Sequence, residues 1–378
     1  MTLSYGLVST YPPTPCGLAT FTKALAGGLL GAPGAVDECV IVRALDVPGG
    51  SDVDVASELV AGSAASRRHA SVALNETDVV IIQHEYGIFG GRDGDEILDV
   101  IERLTVPVIV VLHTVPLDPT PHQRDVLESV VGAADAVITM THAAGRRLAA
   151  GYAVDMTKVT VIPHGAHVTH RFDADGAPDI RPTILTWGLI GPGKGIEWGI
   201  EALALLGDLR PRPRYLIVGE THPKVRAASG EEYRTSLGAR AARLGFSADV
   251  EFEAAYLDVP SLQQIVRRST VVLLPYDSVD QITSGVLIDA VAAGKPVIST
   301  RFPHAIELLG GGVGLLVAHR DPASIAGALR RVLTDTALRE AMSTAASGMA
   351  PSLAWTAVAD RYRQVATGLV TARAAAVA

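Results

Sequence analysis

Short aliphatic, β-branched runs alternate with helical stretches along the chain, and this alternation constrains the fold more than any other feature. The runs are continuously apolar, which is typical of parallel strands buried on both faces by helices. The first series comprises Tyr5–Ser9, Cys39–Val42, Val79–Gln83, Val106–Leu112, Ala136–Thr139 and Val159–Ile162. The second series comprises Thr183–Trp187, Tyr215–Val218, Val250–Phe252, Val271–Leu274, Val297–Thr300 and Gly314–Val317. Helical stretches between them include 122–133, 196–207, 231–244 and 321–333. Two such series predict an α/β protein with two doubly wound domains.

The length of the chain agrees with two domains, because 378 residues exceed what a single hydrophobic core usually fills. The stretch HRFDADGAPDIRP, residues 170–182, is polar, contains prolines and lacks periodicity. We predict the boundary in this stretch, with one domain over 1–175 and the other over 176–351.

Composition excludes several classes of protein. A net charge of −8 without a basic stripe argues against a nucleic-acid surface. The two cysteines, Cys16 and Cys39, fit neither a disulfide framework nor a zinc site. The N-terminus lacks a basic region typical of a signal peptide, and no apolar run reaches the ~18 residues of a spanning helix. We therefore expect a soluble, cytoplasmic protein. The pair Arg67–Arg68 fits a solvated helix face, or a weak peripheral contact with a membrane.

Two strand ends lead into glycine-containing turns that suit an anion. Ligands of open α/β sheets bind outside the carboxyl ends of the strands. The first strand continues into STYPPTPCGLATFTKAL, where Gly17 opens a helix whose N–H groups can face a phosphate. A plain strand–helix turn explains that stretch equally well. The second series opens with TILTWGLIGPGKGIEWGIEAL, where Lys194 precedes a helix, as phosphate binding requires. The first turn is not a dinucleotide fingerprint, and the second is not a P-loop.

Polar residues also follow three strands of the first series. His84 and Glu85 end the third strand and are followed by glycines, which suggests a ligand-facing wall. The HExxH spacing of a metalloprotease is missing. His113 ends the fourth strand, where a lone histidine more often has a structural role than a functional one.

The sixth strand leads to histidines at intervals of three, which raises the question of a metal. They are His164, His167 and His170. Proline and glycine keep this segment from forming a helix that would align them, so we expect no metal site here.

The stretch VVLLPYDSVDQITSGVLIDAVAAGKPVIST, residues 271–300, places a polar loop between two apolar elements. Thr283, Ser284 and Gly285 begin the helix predicted at Val286–Ala293, and their N–H groups can bind a phosphate or sugar hydroxyls. Asp289 lies one turn further along, where a carboxylate can accept hydrogen bonds from a ribose diol. The alternative is a capped helix with Asp289 facing solvent.

Taken together, these motifs resemble a family-4 (group 1) retaining glycosyltransferase of the GT-B architecture. The similarity covers nearly the whole chain, through YPPTPCGLATFTKAL, VLHT, VIPHG, GLIGPGKGIEWGIEAL and the stretch 271–300. It implies two facing Rossmann-like domains with a cleft between them, and a last helix, 352–370, packed on the N-terminal domain. It implies a nucleotide-sugar donor on the second domain and an acceptor on the first, with His84, Glu85 and His164 on the acceptor side.

The resemblance also assigns roles at the reacting centre. Lys194 matches the lysine that neutralises the donor diphosphate, His113 the histidine that faces the donor sugar, and Gly17 the loop that closes over the diphosphate. The signature E-x7-E falls on Gln281 and Asp289, so the first acid, which contacts the sugar, is replaced by an amide.

The same comparison leaves one cation unaccounted for. The family's Gly-Arg pair is Gly188-Leu189 here, so the arginine that joins the lysine is missing. Either another residue supplies the second cation, with Arg301 as a candidate, or the diphosphate binds more weakly.

We expect a retaining hexosyltransferase that needs neither metal nor cofactor. The donor would be a nucleoside diphosphate sugar such as GDP-mannose or UDP-glucose, and the acceptor a carbohydrate or another hydroxyl compound. The alternatives are a phosphorylase or epimerase of the same fold, and a non-catalytic sugar-nucleotide-binding protein.

Overall fold

A computed structural model describes residues 1–31, 37–49, 54–168 and 181–377. The chain divides into two compact units, Met1–Gly165 with Ala354–Ala378, and Ala166–Leu353. The backbone enters and leaves the second unit at adjacent points, because the Ala166 N–H donates to the Leu353 carbonyl at 2.7 Å. The predicted boundary between 175 and 176 lies outside the described residues.

The first unit is built on a seven-stranded parallel sheet. Its strands are β1 (Ser4–Ser9), β2 (Glu38–Leu45), β3 (Ser57–Val60), β4 (Val79–His84), β5 (Val108–Leu112), β6 (Ala136–Thr139) and β7 (Val159–Val161). Their order in the sheet is β3-β2-β1-β4-β5-β6-β7. The helices that follow them in sequence are α1 (Gly17–Leu30), α2 (Ala64–Asn75), α3 (Glu96–Ile101), α4 (Pro121–Ala133) and α5 (His142–Gly151). All carboxyl ends of the strands meet at one edge.

The second unit repeats this plan with a six-stranded parallel sheet. Its strands are β8 (Thr183–Trp187), β9 (Arg214–Val218), β10 (Val250–Glu253), β11 (Val271–Leu274), β12 (Val297–Thr300) and β13 (Gly314–Val317), in the order β10-β9-β8-β11-β12-β13. Its helices are α6 (Ile196–Ala204), α7 (Pro223–Ser229), α8 (Glu232–Arg243), α9 (Val259–Arg268), α10 (Gly285–Ala292), α11 (Pro303–Leu309), α12 (Pro322–Thr334) and α13 (Thr336–Leu353). Two apolar clusters, one on each face of the sheet, form its core.

The last helix, α14 (Trp355–Val377), returns to the first unit and packs against α1. The approach is close because Gly28 has no side chain: a Cβ atom there would lie 2.8 Å from the Ala359 Cβ and from the Trp355 carbonyl oxygen. Val358, Ala359 and Tyr362 complete the core beneath the sheet. The helix starts three residues later than the predicted 352–370 and continues past it.

The fold class predicted from the sequence is confirmed, since every predicted run overlaps a strand of a parallel sheet. The prediction missed β3, whose sequence SELV is half polar. This strand pairs with β2, and its Glu58 carboxylate contacts the Arg43 guanidinium at 2.9 Å. None of the described helices is both long and apolar enough to cross a membrane.

Candidate functional site

The glycine turn between β8 and α6 packs against the loop that follows β11. Gly195 caps α6 in the left-handed region at φ 63°, and a Cβ atom there would overlap the Pro275 carbonyl oxygen. The Asp277 N–H donates to the Gly193 carbonyl at 2.9 Å. The backbone of both loops is therefore fixed as one surface at the carboxyl edge of the second sheet.

Lys194 projects from this turn over an aromatic ring. Its Nζ atom lies 4.6 Å from the centre of the Tyr276 ring, and Tyr276 stacks on Phe302 at 5.5 Å. The lysine has no carboxylate partner among the described residues. The Tyr276 hydroxyl is buried and has no hydrogen-bond partner in that same part of the chain. A cation held by a ring face keeps its charge available to an anion.

The N-terminus of α10 is organised by local hydrogen bonds. The Gln281 amide donates to the Thr283 carbonyl at 2.9 Å, and the Ser284 hydroxyl caps the helix by accepting from the Leu287 N–H at 3.2 Å. The Thr283 hydroxyl is buried, and nothing in the described chain hydrogen-bonds to it.

One expectation for this helix start is corrected. The Ser284 N–H is not free for a ligand, because it donates to Nδ1 of His304 at 2.9 Å. The Gly285 and Val286 amides of the first turn stay the candidates for binding a ligand.

Asp289 lies on the same face of α10 as Val286, three residues earlier. Val286 lies beside Gly188 of the glycine turn: a Cβ atom on Gly188 would lie 3.6 Å from the Val286 side chain. The Asp289 carboxyl is partly buried, and desolvation raises its pKa to about 7. It has no hydrogen-bond or ion-pair partner within the described ranges.

The first unit places His113 at the end of β5. Its Nε2 lies 2.7 Å from the Gln83 amide oxygen, and its ring meets the edge of Phe21 at 4.9 Å. Burial, followed by the nearby His164 and His84, lowers the pKa of His113 to about 3. The imidazole is therefore neutral at ordinary pH, and it can exchange hydrogen bonds but not supply a positive charge.

Glu85 and His84, both predicted on the acceptor side, differ in their exposure. Glu85 is half-buried and accepts a hydrogen bond from the Thr114 hydroxyl at 2.5 Å, beside His113. His84 has 0% exposure, and burial lowers its pKa to about 4. Both ring nitrogens lack a hydrogen-bond partner in the described part of the chain, and the placement of His84 on the acceptor side stays a prediction.

The remaining predicted residues of the first unit lie at the same sheet edge. His164 Nδ1 lies 2.6 Å from the Gly165 carbonyl, and its ring meets Phe21 at 4.9 Å. Gly17 is the exposed first residue of α1, behind the N-cap Cys16. His167 is exposed and belongs to the second unit, and His170 lies outside the described residues.

The structure thus brings the predicted site residues together in two groups, each at the carboxyl edge of its own sheet. The group of the second unit contains Gly188, Lys194, Gln281, Thr283, Ser284, Gly285 and Asp289. The group of the first unit contains Gly17, Glu85, His113 and His164. Arg301 is exposed after β12 and stays a prediction as the second cation.

Sequence reasoning missed two residues of the second group. Tyr276 follows β11 and supports Lys194, and His304 follows β12 and contacts the start of α10. Both lie within four residues of the carboxyl end of a strand, where ligands of open α/β sheets bind, so this position in the sequence could have identified them. No group of three or more potential ligands that could hold a metal ion occurs in the described ranges.

Comparison with known proteins gives a family match within the second unit. Residues 181–335 match the profile of the family "Glycosyl transferases group 1". The D-inositol 3-phosphate glycosyltransferase of Streptomyces bingchenggensis is 29% identical over 71% of this chain and 63% of its own length. The enzyme of that name from Jonesia denitrificans is 30% identical over 67% of this chain and 64% of its own length. The chain thus spans less than two thirds of these relatives.

Solved structures resemble the whole chain. HepE from Anabaena, crystallised with UDP and glucose, has a TM-score of 0.74 at 17% identity, covering 97% of this chain and 100% of its own. Sucrose-phosphate synthase from Thermosynechococcus elongatus has a TM-score of 0.75 at 18% identity, covering 98% and 99%. These likenesses show the fold. The chain therefore carries a domain of the group 1 glycosyltransferase family, at residues 181–335, within the GT-B fold.

Proposed function

We propose that this protein transfers a hexose from a nucleoside diphosphate sugar to a hydroxyl acceptor with retention of configuration. One observation carries the proposal. Four polar groups at the carboxyl edge of the second sheet have no hydrogen-bond or ion-pair partner among the described residues: Lys194 Nζ, the Tyr276 and Thr283 hydroxyls, and the Asp289 carboxyl. Unpaired polar groups are costly at buried positions, so a polar ligand that pairs with them is favoured.

The chemistry of these groups suits such a donor. An ammonium pairs with a diphosphate, a carboxylate accepts hydrogen bonds from a diol, and a hydroxyl and an amide suit a sugar. HepE was crystallised with UDP and with UDP-glucose, which supports a uridine donor as the first to test. GDP-mannose is the second, and the relatives' name points to a polar, hydroxyl-bearing acceptor.

In the proposed reaction, the bond between the anomeric carbon and the diphosphate oxygen breaks as the acceptor oxygen bonds to the same face. The acceptor proton passes to the departing phosphate oxygen. Lys194 and the amides of Gly285 and Val286 stabilise the charge that grows on the leaving group. The resemblance gives His113 the role of facing the donor sugar, and a neutral imidazole would do so through hydrogen bonds rather than charge. No metal ion takes part in this scheme.

Replacement of Lys194 by alanine tests the proposal. The charge on the diphosphate grows toward the transition state. We therefore expect the variant to lose about 2–4 kcal/mol of transition-state stabilisation, which lowers kcat/KM roughly thirty- to a thousand-fold. The matched control is Arg243→Ala, which removes an exposed cation from the last turn of α8, at the opposite edge of the sheet. Steady-state rates of nucleoside diphosphate release measure both.

Two outcomes contradict the proposal. A Lys194→Ala protein within threefold of the parent shows that the diphosphate binds elsewhere. A parent protein that binds nucleotide sugars but never releases nucleoside diphosphate, with or without acceptors, is a non-catalytic binding protein. The amide of Gln281 in place of a carboxylate favours that second candidate.

A further inference from the structure

His304 contacts the segment before α10, residues 281–284, from a different part of the chain. It lies on the first turn of α11, directly after Pro303, and is 3% exposed. His304 belongs to none of the sequence motifs described above. Its role therefore has to be argued from its contacts.

Two hydrogen bonds join His304 to both ends of one short segment. Its Nδ1 accepts from the Ser284 N–H at 2.9 Å, and its own backbone N–H donates to the Gln281 carbonyl at 3.4 Å. Ser284 is the N-cap of α10. The histidine therefore fixes residues 281–284 relative to the helix.

The residues between these two bonds carry the groups assigned to the sugar. Gln281 is held in turn by its amide bond to the Thr283 carbonyl, and the buried Thr283 hydroxyl has no protein partner in the described chain. The Gly285 and Val286 amides lie beyond the fixed segment and are held by the helix itself. A change at His304 should therefore act on the sugar side of the site more than on the phosphate side.

We propose that His304 is a positioning residue for the donor sugar, which holds the Gln281–Ser284 segment through an unprotonated Nδ1. This inference rests on the proposed function. The acceptor role of Nδ1 requires the ring to be neutral with its proton on Nε2, because a protonated Nδ1 would meet the Ser284 N–H as a second donor. The simpler alternative is that His304 only fills space in the core.

Two substitutions distinguish these roles. His304→Asn keeps an acceptor near the position of Nδ1, whereas His304→Leu keeps the apolar volume and removes the acceptor. The Kd values of UDP and UDP-glucose, and of GDP and GDP-mannose, are measured by calorimetry for the parent and both variants. Unfolding midpoints are recorded alongside.

We expect His304→Leu to weaken the sugar donor at least tenfold and the bare nucleoside diphosphate less than threefold. His304→Asn should restore donor affinity to within threefold of the parent. Equal weakening of nucleotide and donor, or unchanged donor affinity in His304→Leu, overturns the positioning role. A Leu and an Asn variant that lose donor affinity equally also overturn it.

Amide hydrogen exchange without ligand separates this inference from the proposed function. His304→Leu should speed exchange at Ser284, and His304→Asn should keep it slow, whatever the protein binds. Unchanged exchange at Ser284 in the leucine variant rejects the bond itself. A parent that binds no nucleotide sugar rejects the proposed function and the sugar-positioning role together, while leaving the exchange result in place.

Discussion

At the residue scale, burial changes the acid–base chemistry of Asp289. Its pKa is raised from 3.8 to about 7 by burial, so about half of the free protein holds a proton there at pH 7 and more does at lower pH. Because the folded pKa lies above the unfolded one, this group lowers the stability of the free protein as pH rises from about 4 through about 7. A diol that donates hydrogen bonds to the carboxylate favours the ionised form.

We therefore predict that affinity for the nucleotide sugar rises with pH. Below pH 7, Kd should fall by up to about tenfold for each unit of pH increase, and it should level off above pH 8. A nucleotide sugar suits this measurement better than a nucleoside diphosphate, because the terminal phosphate of the latter titrates near pH 6 itself. Calorimetry between pH 5.5 and 8.5 measures the effect. Asp289→Asn should flatten the profile, and a parent profile that is already flat contradicts a carboxylate–diol contact.

The sequence was sufficient to place Lys194 and Asp289 at a sheet edge, because both follow recognisable strands. It could not show that the Ser284 N–H is occupied, since His304 lies twenty residues away and only the fold brings the two atoms together. It could not show the burial of His84 either. A histidine that ends an apolar strand looks the same in sequence whether its ring is covered or exposed.

At the scale of elements, the contact between α1 and α14 depends on one of two adjacent glycines. A Cβ atom on Gly28 would lie 2.8 Å from Ala359 and Trp355, whereas one on Gly27 would meet nothing within 4 Å. We predict that Gly28→Ala destabilises the protein by about 1–3 kcal/mol through overpacking. Gly27→Ala should stabilise it by up to about 1 kcal/mol through helix propensity.

Urea denaturation followed by circular dichroism measures both glycine variants. Gly27→Ala is the matched control, since it makes the same chemical change one position earlier on α1. Equal effects of the two substitutions would show that α14 does not approach α1 as closely as described. Limited proteolysis after α13 gives a second readout, because a loosened α14 should be cleaved faster.

Elements were predictable where a single signal dominated. Continuously aliphatic runs such as Val271–Leu274 identify buried parallel strands, because nothing else buries such a run so efficiently. The strand β3 was not predictable, since its half-polar sequence is stabilised by pairing with β2 and by the ion pair between Arg43 and Glu58. That stabilisation arises only in the assembled sheet.

At the scale of the whole molecule, the proposed reaction relies on the charge of the protein rather than of a metal ion. We predict that transfer activity survives dialysis against EDTA, with less than a twofold change in kcat/KM. The control is readdition of magnesium or manganese, which should bring no increase. Loss of activity in EDTA with rescue by either ion would reject the assignment of Lys194 and the α10 amides as the whole phosphate site.

The division of the first unit into Met1–Gly165 and the returning helix α14 also has a consequence for synthesis. The ribosome must deliver the intervening ~190 residues before α14 emerges, which takes roughly ten to forty seconds. During that interval the second unit is synthesised as one continuous segment. The first unit still lacks the helix that covers Phe21 and Leu25 on one face of its sheet. The first unit therefore gains α14 only after the second unit has been synthesised, and its apolar face stays uncovered until α14 has left the ribosome.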